Sequence, residues 1–224
     1  MSTFCFDFVN TLAFSHEPTS TRIFSMLSRE FNSDISLIEI ERNLRILDEV
    51  FHFSSVSMKT EKSKKEFYIM KNTQLLKTLG IHNEHIAQKI YLELIEKRGV
   101  WRLFPETKST LQELSQKGHT LVLASNFDTN LKSILSELDI IHHFKILQIS
   151  AEVEVEKPDE LFFSLLKSKV GADPQEIFFI GDNRKLDYEP ALKFGFIPIL
   201  LDPYGIHPTI NRRIEKLDEL LDLM

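Results

Sequence analysis

This 224-residue sequence has very little cysteine, and it lacks long apolar runs and an excess of positive charge. Cysteine occurs once, as Cys5, so no intramolecular disulfide can form, and its apolar surroundings favour a buried side chain over a reactive thiol. No run approaches the roughly 20 apolar residues of a membrane span. The N-terminus has no basic segment followed by a long apolar core, so it does not resemble a signal peptide. We therefore expect a cytoplasmic protein without a membrane partner.

The charge balance also argues against one class of partner. The sequence has 27 Lys and Arg residues against 33 Asp and Glu residues, a formal net charge of -6. Proteins that bind nucleic acid normally present a basic face, so no nucleic-acid partner is expected. The hydrophobic share of 42% and the charged share of 27% are those of an ordinary globular protein. A chain of this length forms one large domain or a core with an inserted smaller one.

The first apolar run of the chain ends in an acid. Residues 4–12 read FCFDFVNTL, in which strand-forming residues lead to Asp7 and are followed by a polar Asn-Thr turn. Burying a carboxylate is costly unless another group pairs with it. In an open α/β sheet, ligands bind at the carboxyl ends of the strands. Asp7 is therefore our candidate nucleophile.

The periodicity of the apolar residues changes twice along the chain. Apolar residues recur at spacings of three and four from about residue 20 to residue 100, which predicts a helical subdomain. Beyond residue 100, short apolar runs at 120–124, 144–149, 177–180 and 197–201 alternate with helix candidates, one of them opened by Pro158. An apolar stripe from Ile210 to Leu221 is expected to cover the edge or face of the sheet.

This pattern predicts an α/β protein with two domains. Residues 1–14 and 101–224 form a Rossmann-like parallel sheet core with helices on both sides. Residues 15–100 form an inserted α-helical cap domain. Because the insertion directly follows the first strand, we expect the cap to lie over Asp7, where it would exclude water and contact the substrate.

Polar residues follow three other apolar runs. Ser125 and Asn126 come after 120–124, Asp182 follows 177–180 through a glycine, and Lys157 comes after a longer loop. Each residue alone has an ordinary explanation, such as a turn, a helix cap or a surface lysine. Their order and their placement at strand ends make a shared site the better interpretation.

These residues resemble the signatures of the haloacid dehalogenase-like hydrolase superfamily. That family has an apolar strand with D-x-D-x-T-L, a strand ending in Ser or Thr, a lysine, and a strand ending in G-D with a second aspartate four or five residues on. The corresponding segments are DFVNTL at 7–12, Ser125, Lys157 in Glu-Lys-Pro, and GDNRKLD at 181–187. The resemblance covers residues 1–14 and 101–224, and the cap matches by position and helicity alone.

The resemblance implies a phosphatase reaction on a small phosphorylated metabolite. Asp7 would attack the phosphoryl group and form an aspartyl-phosphate, and Thr11 would orient Asp7. Ser125 and Asn126 would bind the substrate together with Lys157, which would also balance the charge of the nucleophile and the phosphate.

The resemblance also implies a Mg²⁺ cofactor. Asp7, Asp182 and Asp187 would hold the ion, together with the main-chain carbonyl of Val9. Few, hard oxygen ligands suit Mg²⁺, with water and phosphate completing its coordination. The cation and Lys157 would offset the repulsion between an anionic nucleophile and an anionic substrate.

Val9 is the one departure from the family pattern. The phosphatases of the family have an aspartate there, which protonates the leaving group and later activates water. General acid–base help is worth about 10²–10⁴-fold, so turnover should be slow unless another group substitutes, with His16 and Glu17 as candidates.

Three further interpretations stay open because of Val9. A 2-haloacid dehalogenase needs no proton donor for halide, although such enzymes work without a metal. A phosphonate hydrolase would use a lysine of the cap. A catalytically impaired protein would still bind Mg²⁺ and phosphate.

Overall fold

The computed structural model describes most of the chain, in two compact units. The described residues are 1–15, 17–31, 35–51, 61–96, 100–171, 173 and 176–223. One unit comprises Met1–Phe14 and Trp101–Met224, and the other comprises Ser15–Val100. None of the described helices is both long and apolar enough to cross a membrane.

The described part of the chain contains eight strands and nine α-helices. The strands are β1 (Thr3–Phe6), β2 (Ala13–Ser15), β3 (Trp101–Leu103), β4 (Thr120–Ser125), β5 (Ile146–Ile149), β6 (Ile177–Gly181), β7 (Ile197–Leu201) and β8 (Arg213–Ile214). The helices are α1 (Thr19–Glu30), α2 (Leu37–Val50), α3 (Glu61–Thr78), α4 (Glu84–Glu96), α5 (Thr107–Gln116), α6 (Leu131–Glu137), α7 (Ser150–Val153), α8 (Glu160–Val170) and α9 (Glu189–Lys193). A π-helical turn spans Arg184–Tyr188, and 3₁₀ turns span Ile141–His143 and Leu217–Leu223.

The main sheet is parallel and has the order β5-β4-β1-β6-β7-β8. In its centre, Phe6 of β1 pairs with Leu123 of β4 on one side and with Ile180 of β6 on the other. The chain builds one half of the sheet through β4 and β5, then crosses β1 to build the other half. Ligand sites in open α/β sheets lie where the strand order reverses in this way. The predicted Rossmann-like α/β fold is confirmed.

Both faces of the sheet are covered, which explains why its strands are continuously apolar. Phe4 and Phe6 of β1 pack into one cluster with Leu111 and Leu114 of α5. Cys5, which alternates with them, points to the opposite face and packs into the cluster that contains two phenylalanines of α8. Its thiol is free and buried, as the composition indicated.

The helices of the Ser15–Val100 unit match the apolar periodicity of its sequence. Ile23 and Leu27 of α1 share one buried cluster with Ile40 of α2, Leu76 of α3 and Ile90 of α4. Within α1, α2 and α4 the buried apolar positions recur at spacings of three and four residues, so each of these helices buries one stripe. Helix α2 begins at a conventional cap, since the side chain of its preceding serine accepts from a main-chain N–H in its first turn.

One local prediction was wrong. Helix α8 begins at Glu160 rather than at Pro158, because the side chain of Asp159 accepts from the N–H of Leu161 and caps it. The stripe from Ile210 to Leu221 covers the edge and one face of the sheet as expected, since Ile214 pairs with β7 as part of the edge strand β8 and a 3₁₀ turn packs against the core cluster after it.

Candidate active site

Three central strands deliver acidic and hydroxyl side chains to one edge of the sheet. Asp7 follows β1, and its main-chain N–H donates to the carbonyl of Ile180 at 2.9 Å, which continues the pairing of β1 with β6 by one residue. Ser125 is the last residue of β4, and Asp182 directly follows β6. Since β4, β1 and β6 are neighbours, these side chains converge.

The carboxylate of Asp7 is held by two donors on a single oxygen. Its Oδ1 accepts a hydrogen bond from the hydroxyl of Ser125 at 2.9 Å and from Nζ of Lys157 at 2.8 Å. All three residues are buried. The structure thus brings together three residues that lie far apart in the sequence, as the order of the motifs predicted.

Lys157 forms a buried bridge between two carboxylates. Its Nζ lies 2.8 Å from Oδ1 of Asp7 and 2.6 Å from Oδ1 of Asp187, and only 2% of the residue is exposed. Burial lowers the pKa of Lys157, but Asp187 and Asp7 together raise it by more, so that the pKa lies above its usual range. The ammonium group therefore stays charged.

Asp187 is placed by the turn that follows β6. Its Oδ2 accepts from the N–H of Asn183 at 3.1 Å, while its Oδ1 accepts from Lys157. Burial raises the pKa of Asp187 to about 6, in spite of the opposing effect of the Lys157 ammonium. A buried carboxylate of this kind favours a nearby cation.

Asn183 is a structural residue of the site that the sequence interpretation missed. Its side-chain oxygen accepts from the N–H groups of Lys185 and Leu186 at 2.9 and 3.0 Å, and thereby caps the π-helical turn that carries Asp187. Asparagine ahead of a helical turn is a common capping residue, so its position was the available signal.

Three carboxylates of this edge form a group that could hold a cation. Asp7, Asp182 and Asp187 each offer an oxygen, and these oxygens all lie within 4.8 Å of one another. Hard oxygen donors of this number are typical of Mg²⁺ sites, in which water and substrate supply the other ligands. A divalent cation would offset the mutual repulsion of three carboxylates that lie so close together. The donor set therefore fits the predicted ion.

The other predicted site residues have different surroundings. The Asn126 amide bonds the main chain of Lys157. The Thr11 hydroxyl is fully buried and has no hydrogen-bond partner among the described residues, so no hydrogen bond joins it to Asp7. Val9 packs with its side chain against the core cluster and offers no protonable group.

The sequence offers two candidate replacement acids for the missing aspartate, His16 and Glu17. His16 lies outside the described residues. Glu17 is exposed and belongs to the Ser15–Val100 unit. A role for either residue in catalysis stays a prediction.

A parallel α/β sheet whose carboxyl edge gathers an acid, a hydroxyl, a buried lysine and a carboxylate cluster is the arrangement expected of a hydrolase of the Rossmann-like class. The family model of haloacid dehalogenase-like hydrolases matches residues 1–195, and the chain belongs to that family.

Curated relatives and solved structures agree with this assignment. The chain is 29% identical to haloacid dehalogenase-like hydrolase domain-containing protein 3 of Danio rerio over 150 residues, 63% of this chain and 62% of that protein. It is 29% identical to the phosphoserine phosphatase of Thermus thermophilus over 123 residues, 54% of this chain and 49% of that protein. The chain thus spans between about half and three fifths of these relatives.

One solved structure shows the same fold over nearly the whole chain. The HAD-hydrolase YfnB from Bacillus subtilis, whose crystal structure has magnesium bound, superposes with a TM-score of 0.63 at 17% identity. The match covers 99% of this chain and 97% of that one. At this identity the likeness concerns the fold.

Proposed function

We propose that the chain is a Mg²⁺-dependent phosphatase of a small phosphorylated metabolite, with Asp7 as its nucleophile. The observation that carries this proposal is the convergence of Ser125 and Lys157 on one oxygen of Asp7. Two donors at that point would also contact the oxygens of a phosphoryl group that approaches Asp7. The similarity to a phosphoserine phosphatase supports the same class of substrate.

The proposed reaction has two steps on Asp7. First, a carboxylate oxygen of Asp7 attacks phosphorus while the bond from phosphorus to the ester oxygen breaks, and the ester oxygen leaves with the electron pair. Second, water attacks phosphorus and the bond to Asp7 breaks, which releases phosphate and restores the carboxylate, and the proton that the water gives up neutralises the ester oxygen that left in the first step. Because both donors contact Oδ1, the second oxygen of Asp7 accepts from neither of them and has a lone pair for the attack.

Lys157 and Ser125 would act on charge and orientation. Since the pKa of Lys157 is raised, its ammonium group stays positive and balances the charge that develops on the phosphoryl oxygens. The hydroxyl of Ser125 would turn from Asp7 to a phosphoryl oxygen once a substrate is present. Both groups are buried and held by their strand and loop, so little reorganisation is needed.

Asp7, Asp182 and Asp187 would hold the Mg²⁺, together with the main-chain carbonyl of Val9. The ion would supply positive charge that lowers the repulsion between nucleophile and phosphate. The carboxylates would in turn fix the direction from which the substrate approaches Asp7. The Ser15–Val100 unit would serve as a cap that selects the substrate, because it is inserted directly after the strand of Asp7.

Val9 favours a second candidate function, a protein that binds Mg²⁺ and phosphate and turns over slowly. Its hydrocarbon side chain can neither protonate a leaving group nor activate water. The dehalogenase alternative is less well supported, because three clustered carboxylates are not needed to displace halide. A phosphonate hydrolase needs a particular lysine of the cap, and no observation on the described residues identifies one.

Calorimetric measurement of Mg²⁺ and fluoroberyllate binding tests this proposal. The native chain is compared with Asp7→Asn and with the matched control Asp218→Asn, which changes an exposed acid of the same unit. We expect binding in the native chain and the control and none in Asp7→Asn. Unchanged binding in Asp7→Asn would refute the assignment of Asp7 as the nucleophile.

A screen of phosphomonoesters, with haloacids alongside, then separates the functions. Release of phosphate supports a phosphatase, whereas binding without release supports the second candidate. Release of halide alone would identify a dehalogenase.

A further inference from the structure

The side chain of Asn126 pairs with both main-chain polar groups of one residue, Lys157. Its Oδ1 accepts from the N–H of Lys157 at 2.7 Å, and its Nδ2 donates to the carbonyl of Lys157 at 2.9 Å. The two bonds fix the orientation of the amide, because the oxygen must face the N–H and the nitrogen must face the carbonyl. The amide of Asn126 thus forms the same pair of hydrogen bonds with Lys157 that the main chain of a neighbouring strand would form.

A second contact of the same kind lies at the other end of the segment. The hydroxyl of Ser150 accepts from the N–H of Phe127 at 3.1 Å and donates to its carbonyl at 3.2 Å. The N–H of Ala151 also donates to that carbonyl, at 3.2 Å. The segment from Ser150 to Lys157 is therefore fastened at both ends to the two residues that follow β4.

The position of the Lys157 main chain determines what its ammonium group can reach. Lys157 lies in the connection between α7 and α8, outside any regular element. Its side chain is nonetheless almost completely buried and meets Asp7 and Asp187 at 2.8 and 2.6 Å. A shift of the Lys157 main chain would lengthen these short contacts. A shift of about 1 Å in a reacting group can cost about 10²-fold in rate.

We propose that Asn126 is a positioning residue that holds the main chain of Lys157, and that it is not a ligand of the substrate. This inference rests on the proposed function only where it assigns the Lys157 ammonium to phosphate binding. It differs from the sequence-based prediction, which placed Asn126 with Ser125 and Lys157 around the substrate. The difference arises because both ends of the amide already have partners on the main chain.

The first experiment observes the ammonium group itself. Proton–nitrogen correlation spectra detect a lysine ammonium group when hydrogen bonds protect it from exchange, and Lys157→Met assigns the signal. We expect a protected Lys157 signal in the native chain and its shift or loss in Asn126→Ala. The matched control is Asn72→Ala, which removes another amide-to-main-chain bond, from Asn72 to Ala87, in the other unit. An unchanged Lys157 signal in Asn126→Ala would overturn the proposal.

The second experiment is a double-mutant cycle on the affinity for inorganic phosphate with Mg²⁺. We expect Asn126→Ala to weaken this affinity by about tenfold, the size of one lost charge-assisted contact, in the native background. In the Lys157→Met background we expect Asn126→Ala to weaken the affinity by less than about twofold, because its effect acts through the ammonium group that this background lacks. An equal loss in both backgrounds would overturn the proposal and make Asn126 a direct ligand.

Further measurements distinguish the positioning role of Asn126 from a general loss of stability and from the proposed function. The free energy of unfolding should fall by the same amount in both backgrounds, because the main-chain bonds of Asn126 do not need the lysine side chain. Asn126→Asp keeps the acceptor but turns a charged oxygen toward the carbonyl of Lys157 in place of the donor, and should lose at least as much affinity as Asn126→Ala. If the native chain binds no phosphate, the proposed function fails, and the ammonium signal alone decides on Asn126.

Discussion

Gly181 and Asp187 lie so close together that Gly181 has no room for a side chain. A Cβ on Gly181 would stand 2.3 Å from both Cγ and Oδ2 of Asp187. Asp187 cannot simply withdraw, because it is buried and hydrogen-bonded to Lys157 and to the N–H of Asn183. The glycine at the end of β6 is therefore required by packing against a carboxylate of the proposed metal site.

Gly181→Ala should damage the site as well as the fold. The added methyl group overpacks a buried position, which typically costs about 1–3 kcal/mol of stability. Because the atom that must move belongs to Asp187, we also expect weaker binding of Mg²⁺. Urea denaturation and calorimetric titration with Mg²⁺ measure the two effects.

The matched control is Gly171→Ala. Gly171 ends α8 with a φ of +66°, and a methyl group there would meet no atom within 4 Å, so its substitution strains only the backbone. We expect loss of stability with unchanged Mg²⁺ affinity. If Gly181→Ala behaves like this control, Asp187 is not a ligand of the ion.

Lys157→Met should destabilise the chain more than an ordinary surface substitution. Removing one partner of a buried ion pair typically costs about 3–5 kcal/mol, because the remaining charges are left without compensation. Here Asp7 and Asp187 would both be affected. Urea denaturation at neutral pH measures the loss, and Lys185→Met, an exposed lysine paired with Glu189, is the control.

Mg²⁺ should restore part of the stability that Lys157→Met loses. A cation among Asp7, Asp182 and Asp187 compensates the charges that the lysine left behind, and a ligand that binds the folded state stabilises it. Repeating the denaturation with Mg²⁺ and with EDTA measures this difference. Equal midpoints in the two solutions would contradict a metal site at these carboxylates.

The sequence was informative where regular structure determines position. Once β1, β4 and β6 were expected in a parallel sheet, the convergence of Asp7, Ser125 and Asp182 followed, because carboxyl ends of parallel strands share one edge. The Rossmann-like fold was accessible for the same reason, whereas the hydrolase family was recognised through the resemblance of the motifs at these strand ends. Periodicity and residue order carry this information.

The sequence was less informative where loops determine position. The bonds of Asn126 and Asn183 to main-chain groups depend on the path of turns, for which apolar periodicity has no signal. Thr11 shows the same difficulty, since no hydrogen bond joins its hydroxyl to Asp7 among the described residues. The edge strand at Ile214 was missed because two paired residues are too few to show alternation.

Cys5 should resist thiol reagents as long as the chain is folded. Burial raises the pKa of its thiol far above the usual range, so that the reactive thiolate does not form at neutral pH. We expect labelling by Ellman's reagent at least about 10³-fold slower than in denaturant, because it requires opening of the core. Ser168→Cys in a Cys5→Ser background supplies an exposed thiol for comparison, and equally fast labelling of Cys5 would mean that β1 is not buried.

Val9→Asp should raise turnover most for substrates with poor leaving groups. An alkyl phosphate needs a proton on its departing oxygen, whereas p-nitrophenyl phosphate and acetyl phosphate release stable anions without one. The native chain should therefore prefer the latter two, and their phosphate should leave Asp7 slowly. Release of the leaving group in a single turnover, measured across this series, tests the preference.

The decisive comparison is between Val9→Asp and Val9→Asn, which have nearly the same shape and polarity but differ in the ability to transfer a proton. A general acid contributes about 10²–10⁴-fold, so Val9→Asp should raise the rate of the first step on an alkyl phosphate by that order and the rate of the first step on acetyl phosphate by less, while the loss of phosphate from Asp7 should become faster for both substrates. Val9→Asn should leave both rates near those of the native chain. If both variants accelerate the reaction equally, polarity at position 9 matters rather than proton transfer. If the native chain already hydrolyses alkyl phosphates as fast as Val9→Asp, another residue supplies the proton and Val9 does not limit turnover.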